Sequence, residues 1–350
     1  MRRRALVIVN PVAGKRSSPE NLKRLKERLD EAGVEFELRE TSGEGDAARW
    51  AREAVDVDMV IALGGDGTTM EAMSGLIEGQ RDIPLAQVPV GTANLVARAL
   101  GIPTDLEGAL EVALAGVAVR HDVGRVEGSG RYFALVAGAG FDAQLIEDTP
   151  RRLKNRLGFT AYLLAGVRNL FRLRRSNILL QIDGHHHHFR AHTVMVINVG
   201  DIEGMELRGT RDIDPHDGKL DVLIVTPASL LGIVQVAWRI LTGNLSGHQD
   251  VRMLQAESVK IEANPPLHVQ IDGEPIGTTP LAVRAVPSGA LFIVPAGYIE
   301  SRGLSVEGAV KRADAGTSAG AATSAGTSAV ISANSTADTA SETSTESAGD

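Results

Sequence analysis

The chain contains no cysteine in 350 residues. That excludes disulfides, thiolate nucleophiles and Cys-ligated zinc, and the fold needs no oxidising compartment. Aromatic residues are few, with two Trp, three Tyr and seven Phe against 38 Gly, so small-residue packing around many tight turns is expected. No apolar run approaches the roughly 18 residues that a membrane-crossing helix requires. The start, MRRRALVIVNPVAG, is basic like a signal peptide, but its apolar run Ala5–Val9 is far too short and breaks at Asn10-Pro11. A cytoplasmic protein is expected, with any membrane contact peripheral. Basic charge is not in excess either: 36 Lys and Arg face 44 Asp and Glu, a net −8. This argues against a nucleic-acid binder with a wholly basic surface, while leaving room for a local basic patch.

What is present points to two domains, since the length exceeds one ordinary core and 43% of residues are hydrophobic. Up to about residue 120, strand-like and helix-like segments alternate. Ala5–Val9, Val34–Leu38, Asp58–Leu63 and Leu85–Val88 read as strands. Glu20–Ala32, with Leu22, Leu25 and Leu29 at helical spacing, reads as a helix, as do Asp46–Ala54, Thr69–Ile77 and Ala93–Leu100. Such alternation predicts an α/β domain with a parallel sheet. From about His121 the pattern turns to strands separated by Gly, Asp and Pro: Tyr132–Ala137, Asn177–Ile182, His192–Asn198, Leu220–Thr226, Ser258–Ala263 and His268–Ile271. Asp183-Gly184 marks a hairpin. Two helices, Arg151–Leu173 and Ser229–Leu241, interrupt a mainly antiparallel β domain over 121–284. Residues 285–300 are expected to return to the first domain. The 303–350 tail, rich in Ala, Ser, Thr and Gly, lacks the bulky side chains needed to offset ordering entropy and is expected to be disordered.

Three glycine-bearing turns follow strands of the first domain. Gly64, Gly65, Asp66, Gly67 and Thr68 come directly after an apolar strand and before a helix. Asn10 to Lys15 and Pro89 to Asn94 follow two others, and Thr41 ends a fourth strand. Glycines allow backbone N–H groups close to phosphate oxygens, and a helix N-terminus adds partial positive charge. In a parallel sheet these ends converge on one edge, where ligands bind. A nucleotide site is expected there, with Asp66 a candidate for orienting the nucleotide or holding Mg²⁺ through water. Two acidic turns lie further on: Asp272-Gly273-Glu274, which as a sequence is also an ordinary hairpin turn, and Asp214 to Asp221, which is otherwise a solvated turn before a strand.

NPVAG, GGDGT and PVGTANLVAR, in that order and spacing, resemble the catalytic domain of the diacylglycerol kinase family, nearest to the bacterial soluble lipid kinases related to sphingosine and ceramide kinases. The resemblance runs from about Leu6 to Tyr298. It departs at Ala93-Asn94, where the family commonly has Gly-Asn. It implies a phosphofructokinase-like α/β domain, a β-sandwich domain, and ATP in the cleft between them. It implies nucleotide contacts at Asn10, Gly14, Thr41, Gly64, Gly65, Asp66, Gly67, Thr68 and Thr92. It further implies Glu274 as general base, with Asp272 as a metal or substrate ligand, or as the base itself. A metal-supporting loop is implied at Asp217, completed by the carbonyls of Asp214 and Lys219, a donor set suited to Mg²⁺. The Gly138 to Asp142 turn is implied to line the cleft. The activity implied is ATP-dependent phosphorylation of a lipid hydroxyl, with diacylglycerol leading. An enzyme like NAD kinase, or a nucleotide-binding regulator without catalysis, are the rival expectations.

Arg151 to Arg175 holds eight Arg or Lys and no acid, with apolar residues between them. Packing of its apolar stripe on the sandwich is favoured over docking on anionic lipid, with the Arg172 to Arg175 end free to touch head groups. His185 to His188 is expected to be an exposed hairpin strand rather than a metal site. A homodimer is compatible with the sequence.

Overall fold

The computed structural model describes residues 2–13, 19–140, 175–202, 205–206, 213–227, 229–241, 249–302 and 304. The expected helix at Arg151–Leu173, Gly14, Asp142 and all of the tail but Leu304 lie outside them.

Four strands, β1 (Arg4–Val9), β2 (Glu35–Glu40), β3 (Met59–Gly64) and β4 (Leu85–Pro89), form a parallel sheet in the order β2-β1-β3-β4. Every residue of β3 is buried, as expected of a strand covered on both faces. The crossovers carry α1 (Pro19–Glu31), α2 (Asp46–Glu53) and α3 (Asp66–Glu78), followed by the short α4 (Leu95–Ala99) and α5 (Leu106–Ala115). α1 buries Leu25 and Leu29, one turn apart, and turns its Arg, Lys and Glu outward. α5 starts where the Asp105 carboxylate accepts the Gly108 N–H at 2.9 Å.

Two boundaries differ from the sequence expectation. α3 begins at Asp66 rather than Thr69, so Asp66, Gly67 and Thr68 form its first turn instead of a loop before it. Glycine lowers helix propensity, which hid this start, and tertiary packing overrides it. α4 begins at Leu95 because Asn94 takes a left-handed conformation (φ 50°) that a helix cannot continue.

The second half forms β5 (Val117–Val126), β6 (Tyr132–Phe133), β7 (Val136–Ala139), β8 (Ser176–Ile182), β9 (His185–Ala191), β10 (Thr193–Ile197), β11 (Asp201–Ile202), β12 (Met205–Glu206), β13 (Leu220–Val225), α6 (Leu230–Leu241), β14 (Val251–Ala256), β15 (Ser258–Asn264), β16 (His268–Ile271), β17 (Glu274–Thr278), β18 (Leu281–Val294) and α7 (Ala296–Ser301). A six-stranded antiparallel sheet, β14-β13-β10-β7-β16-β17, packs on the antiparallel end of the first sheet. Between them lies an apolar core that includes Phe133, Ile178, Leu180, Val194, Val222 and Val259. The 14-residue β18 links the two halves: Phe292 pairs with Leu85 of β4, while Leu281 to Arg284 pair with β15. β8 and β9 meet at Asp183-Gly184, both at positive φ (45° and 85°), with His185 to His188 exposed along β9. The expected strand Tyr132–Ala137 is instead two short ones, broken at Ala134 and Leu135 for a reason found at the site.

Candidate active site

The parallel ladder extends past its strand ends and lines up the glycine turns. Thr41 N–H donates to the Val9 carbonyl (2.8 Å), Asn10 N–H to Leu63 (3.0 Å) and Val90 N–H to Gly64 (2.9 Å). Asn10 uses its side chain twice: Nδ2 donates to Thr68 Oγ1 at 3.1 Å, and Oδ1 accepts the Val12 N–H at 3.1 Å. The first strand's turn is thereby tied to the first turn of α3. Gly65 caps that helix without a side chain, so no side-chain acceptor competes for its leading N–H groups. An anion is favoured at such a terminus by both the N–H groups and the dipole. The Pro89 to Asn94 turn lies against it: a Cβ on Gly91 would stand 2.7 Å from the Gly65 Cα. Thr41 is half-buried and Thr92 exposed beside these turns.

Asp66 points across α3 rather than outward. Its Oδ1 accepts the Val96 N–H at 2.9 Å, holding α4 against α3. Burial raises its pKa, opposed by N–H groups of Val96, Leu95 and Asn94.

The β16–β17 turn comes to the same place from the other domain. Asp272 and Gly273 both have positive φ (46° and 89°), the geometry of a tight two-residue hairpin. The Asp272 carboxylate accepts three backbone N–H groups, from Ala134 (2.8 Å), Leu135 (3.0 Å) and Val136 (2.8 Å). These bonds account for the break between β6 and β7, because the N–H groups turn to the carboxylate instead of a neighbouring strand. Burial pushes Asp272 up to about 6, against the pull of those three N–H groups, with the charge of Asp66 raising it further. The folded chain therefore holds this proton more tightly than the unfolded chain. The resulting stability is complete below the ordinary value of 3.8 and is lost as the pH rises through about 6. Carbon-detected NMR should find the Asp272 carboxyl titrating with a midpoint near 6; a midpoint near 3.8 would contradict this environment.

Glu274 is exposed and has no side-chain partner among the described residues. A carbon placed on Gly67 would lie 3.4 Å from its Oε1, so this carboxylate reaches the first turn of α3. Asp66, Gly67, Asp272 and Glu274 thus line one cleft of about 530 Å³, within the range of small-molecule sites. Residues without any signal in the sequence complete it: Glu71, Arg131 and Tyr132, with Arg131 3.6 Å from Glu44 in an exposed ion pair.

Asp214, Asp217 and Lys219 do not line this cleft. Asp217 Oδ1 accepts the Lys219 N–H at 2.9 Å, and Oδ2 accepts from the Gln255 amide. The turn is anchored by Asp122, whose two oxygens accept the Gly218 and Ser288 N–H groups, each at 2.6 Å. An acid inside the apolar strand run of β5 was the sequence signal for Asp122, and it was not singled out. Burial raises the pKa of both Asp122 and Asp217, while the hydrogen bond from His216 lowers that of Asp214. Two carboxylates uncomfortable in their charged form suit a hard cation. Among the described residues no three His, Asp or Glu side chains gather as a metal site, so backbone carbonyls would have to complete the shell.

Known proteins share this arrangement. The diacylglycerol kinase catalytic domain matches residues 4–126, and the YegS C-terminal NAD kinase beta sandwich-like domain matches 135–294. A diacylglycerol kinase of Bacillus subtilis (strain 168) is 34% identical over 281 residues, covering 79% of this chain and 92% of that one. The chain belongs to the diacylglycerol kinase family. Another member, a diacylglycerol kinase of Staphylococcus aureus (strain MRSA252), is 30% identical over 282 residues, with 80% and 89% covered. A crystal structure from Bacillus anthracis str. Sterne superposes with a TM-score of 0.73 at 26% identity, over 85% of this chain and 96% of the other. Measured against the family pattern, Ala93 replaces the usual glycine beside Asn94. The Asn94 Nδ2 bonds the Gly91 carbonyl at 3.1 Å and so still closes the turn.

Proposed function

We propose that this chain is an ATP-dependent lipid kinase that transfers the γ-phosphate of ATP to a lipid hydroxyl, with diacylglycerol as the acceptor. The observation that carries the reading is the meeting of a free carboxylate, Glu274, with the uncapped N-terminus of α3 in one cleft. Phosphoryl transfer asks a protein mainly for positioning, charge neutralisation and one proton acceptor. The turns at Asn10, Gly64 to Thr68 and Gly91 to Thr92 hold the phosphates through backbone N–H groups. The acceptor hydroxyl oxygen bonds to the γ-phosphorus as the bond to the β–γ bridging oxygen breaks, and ADP leaves. The hydroxyl proton passes to Glu274. Asp272 is occupied by three N–H groups and serves to hold the turn, which favours Glu274 over Asp272 as the base. Mg²⁺ bound with ATP would neutralise phosphate charge, with Asp66 as its nearest candidate partner. Asp217, with carbonyls of Asp214 and Lys219, would hold a second cation that supports the turn.

No described helix is long and apolar enough to cross a membrane. On this reading the enzyme works from the cytoplasm and takes its acceptor from the membrane surface. The test supplies purified protein with Mg²⁺ and γ-labelled ATP, together with dispersed diacylglycerol, phosphatidylglycerol, a sphingoid base or NAD. Label is expected in diacylglycerol. Label in NAD alone would overturn the lipid reading, and label in another lipid would replace the acceptor.

A further inference from the structure

Glu274 has no side-chain partner among the described residues, so the backbone of its turn has to aim it. One end of that turn is held by Asp272. The other contact is made by Gln270, a side chain only 3% exposed, whose Oε1 accepts the Gly273 N–H at 2.7 Å. A Cβ on Gly273 would meet nothing within 4 Å, so no packing holds this tip of the hairpin. Gln270 is also where the β16–β17 register shifts: Val269 pairs with Gly277, while Gln270 pairs with Pro275 and Ile271 with Glu274. Such an irregularity re-aims the residues beside it.

The chain contains its own control. The β8–β9 hairpin uses the same Asp-Gly pair, also at positive φ in both residues. There the Asp183 carboxylate accepts the Glu257 and Ser258 N–H groups, and among the described residues no buried amide reaches Gly184. An Asp-Gly hairpin in this protein therefore forms without a glutamine beneath it. The Gln270 bond is additional to what the turn needs to exist, and it occurs at the turn that carries the carboxylate of the cleft.

We propose that Gln270 is a positioning residue for phosphoryl transfer, fixing through Gly273 the turn that aims Glu274 at the first turn of α3. The proposal rests on Glu274 being the base. Misplacing a reacting group by about 1 Å costs up to roughly 10²-fold in rate. Gln270→Leu, of similar size without an acceptor, is expected to lower kcat by about 10- to 100-fold, with KM for ATP held within about twofold. The decisive measurement is a double-mutant cycle with Glu274→Ala. If Gln270 acts through Glu274, the double variant should be no slower than Glu274→Ala alone, within about twofold. A multiplicative loss in the double variant, an unchanged kcat in Gln270→Leu, or a KM that rises as thermal stability falls would each overturn the proposal. Should Gln270→Leu fail to fold, Gln270→Met, unbranched and also without a comparable acceptor, is read in the same way. Full activity in Glu274→Ala would remove the base assignment itself, and is told apart because it needs no Gln270 variant to be seen.

Discussion

Glu274→Gln is expected to lower kcat by roughly 10²- to 10⁴-fold, the range for removing a general base, while ATP still binds and the fold is unchanged. The amide keeps the size and shape of the side chain but cannot take a proton. The carboxylate is exposed and bonds to no other described side chain, so its loss leaves no buried group without a partner. Asp272 behaves differently. Asp272→Asn removes charge from an acceptor of three backbone N–H groups, and each buried donor left unsatisfied costs about 1–3 kcal/mol. A fall in melting temperature should therefore accompany any loss of activity in Asp272→Asn and be missing from Glu274→Gln. Steady-state kinetics beside thermal unfolding of the two variants separates base from clamp. Activity in Glu274→Gln above about a tenth of wild type would move the base elsewhere, first to Asp272.

The second large effect is expected at Gly91. A Cβ there would lie 2.7 Å from the Gly65 Cα and 2.8 Å from Asn94 Oδ1, closer than real carbon contacts come. Neither neighbour can swing aside. Gly65 offers only backbone, and Asn94 is buried in a left-handed conformation with its Nδ2 bonded to the Gly91 carbonyl. Gly91→Val therefore has to part the two glycine turns and strain the Val90 to Gly64 bond between them. Overpacking of this kind costs about 1–3 kcal/mol. Because the turns are proposed to grip the same phosphates, KM for ATP should rise by at least about tenfold. Titration with a fluorescent ATP analogue measures that. Reduced stability with unchanged nucleotide affinity would mean that the turns pack together but do not hold ATP.

Much of the architecture was legible because local chemistry and tertiary structure agree. The alternation of apolar strands with helices such as α1, whose Leu25 and Leu29 recur one turn apart, marks a parallel sheet whichever strands become neighbours. Asp183-Gly184 marked its hairpin because that pair adopts positive φ at little cost. Where local preference and packing disagree, boundaries moved. The glycines ahead of Thr69 are poor helix formers, yet Asp66, Gly67 and Thr68 are helical because the chain leaves β3 directly beneath α3.

By itself, then, the sequence determined the two halves of the fold and the glycine turns at the ends of β1, β3 and β4. Both follow from side-chain periodicity and backbone permissiveness, which are properties of neighbours along the chain. Only the tertiary structure decided which acid does what. Asp272 and Glu274 are two residues apart and equally acidic, but the β6–β7 break presents three N–H groups to one and nothing to the other. Asp217, grouped with them by composition, folds into a turn held by Asp122, almost a hundred positions away in sequence, and stands outside the cleft. Burial, hydrogen-bond supply and distance are set by segments remote in sequence, so the division of work among carboxylates had to come from the fold.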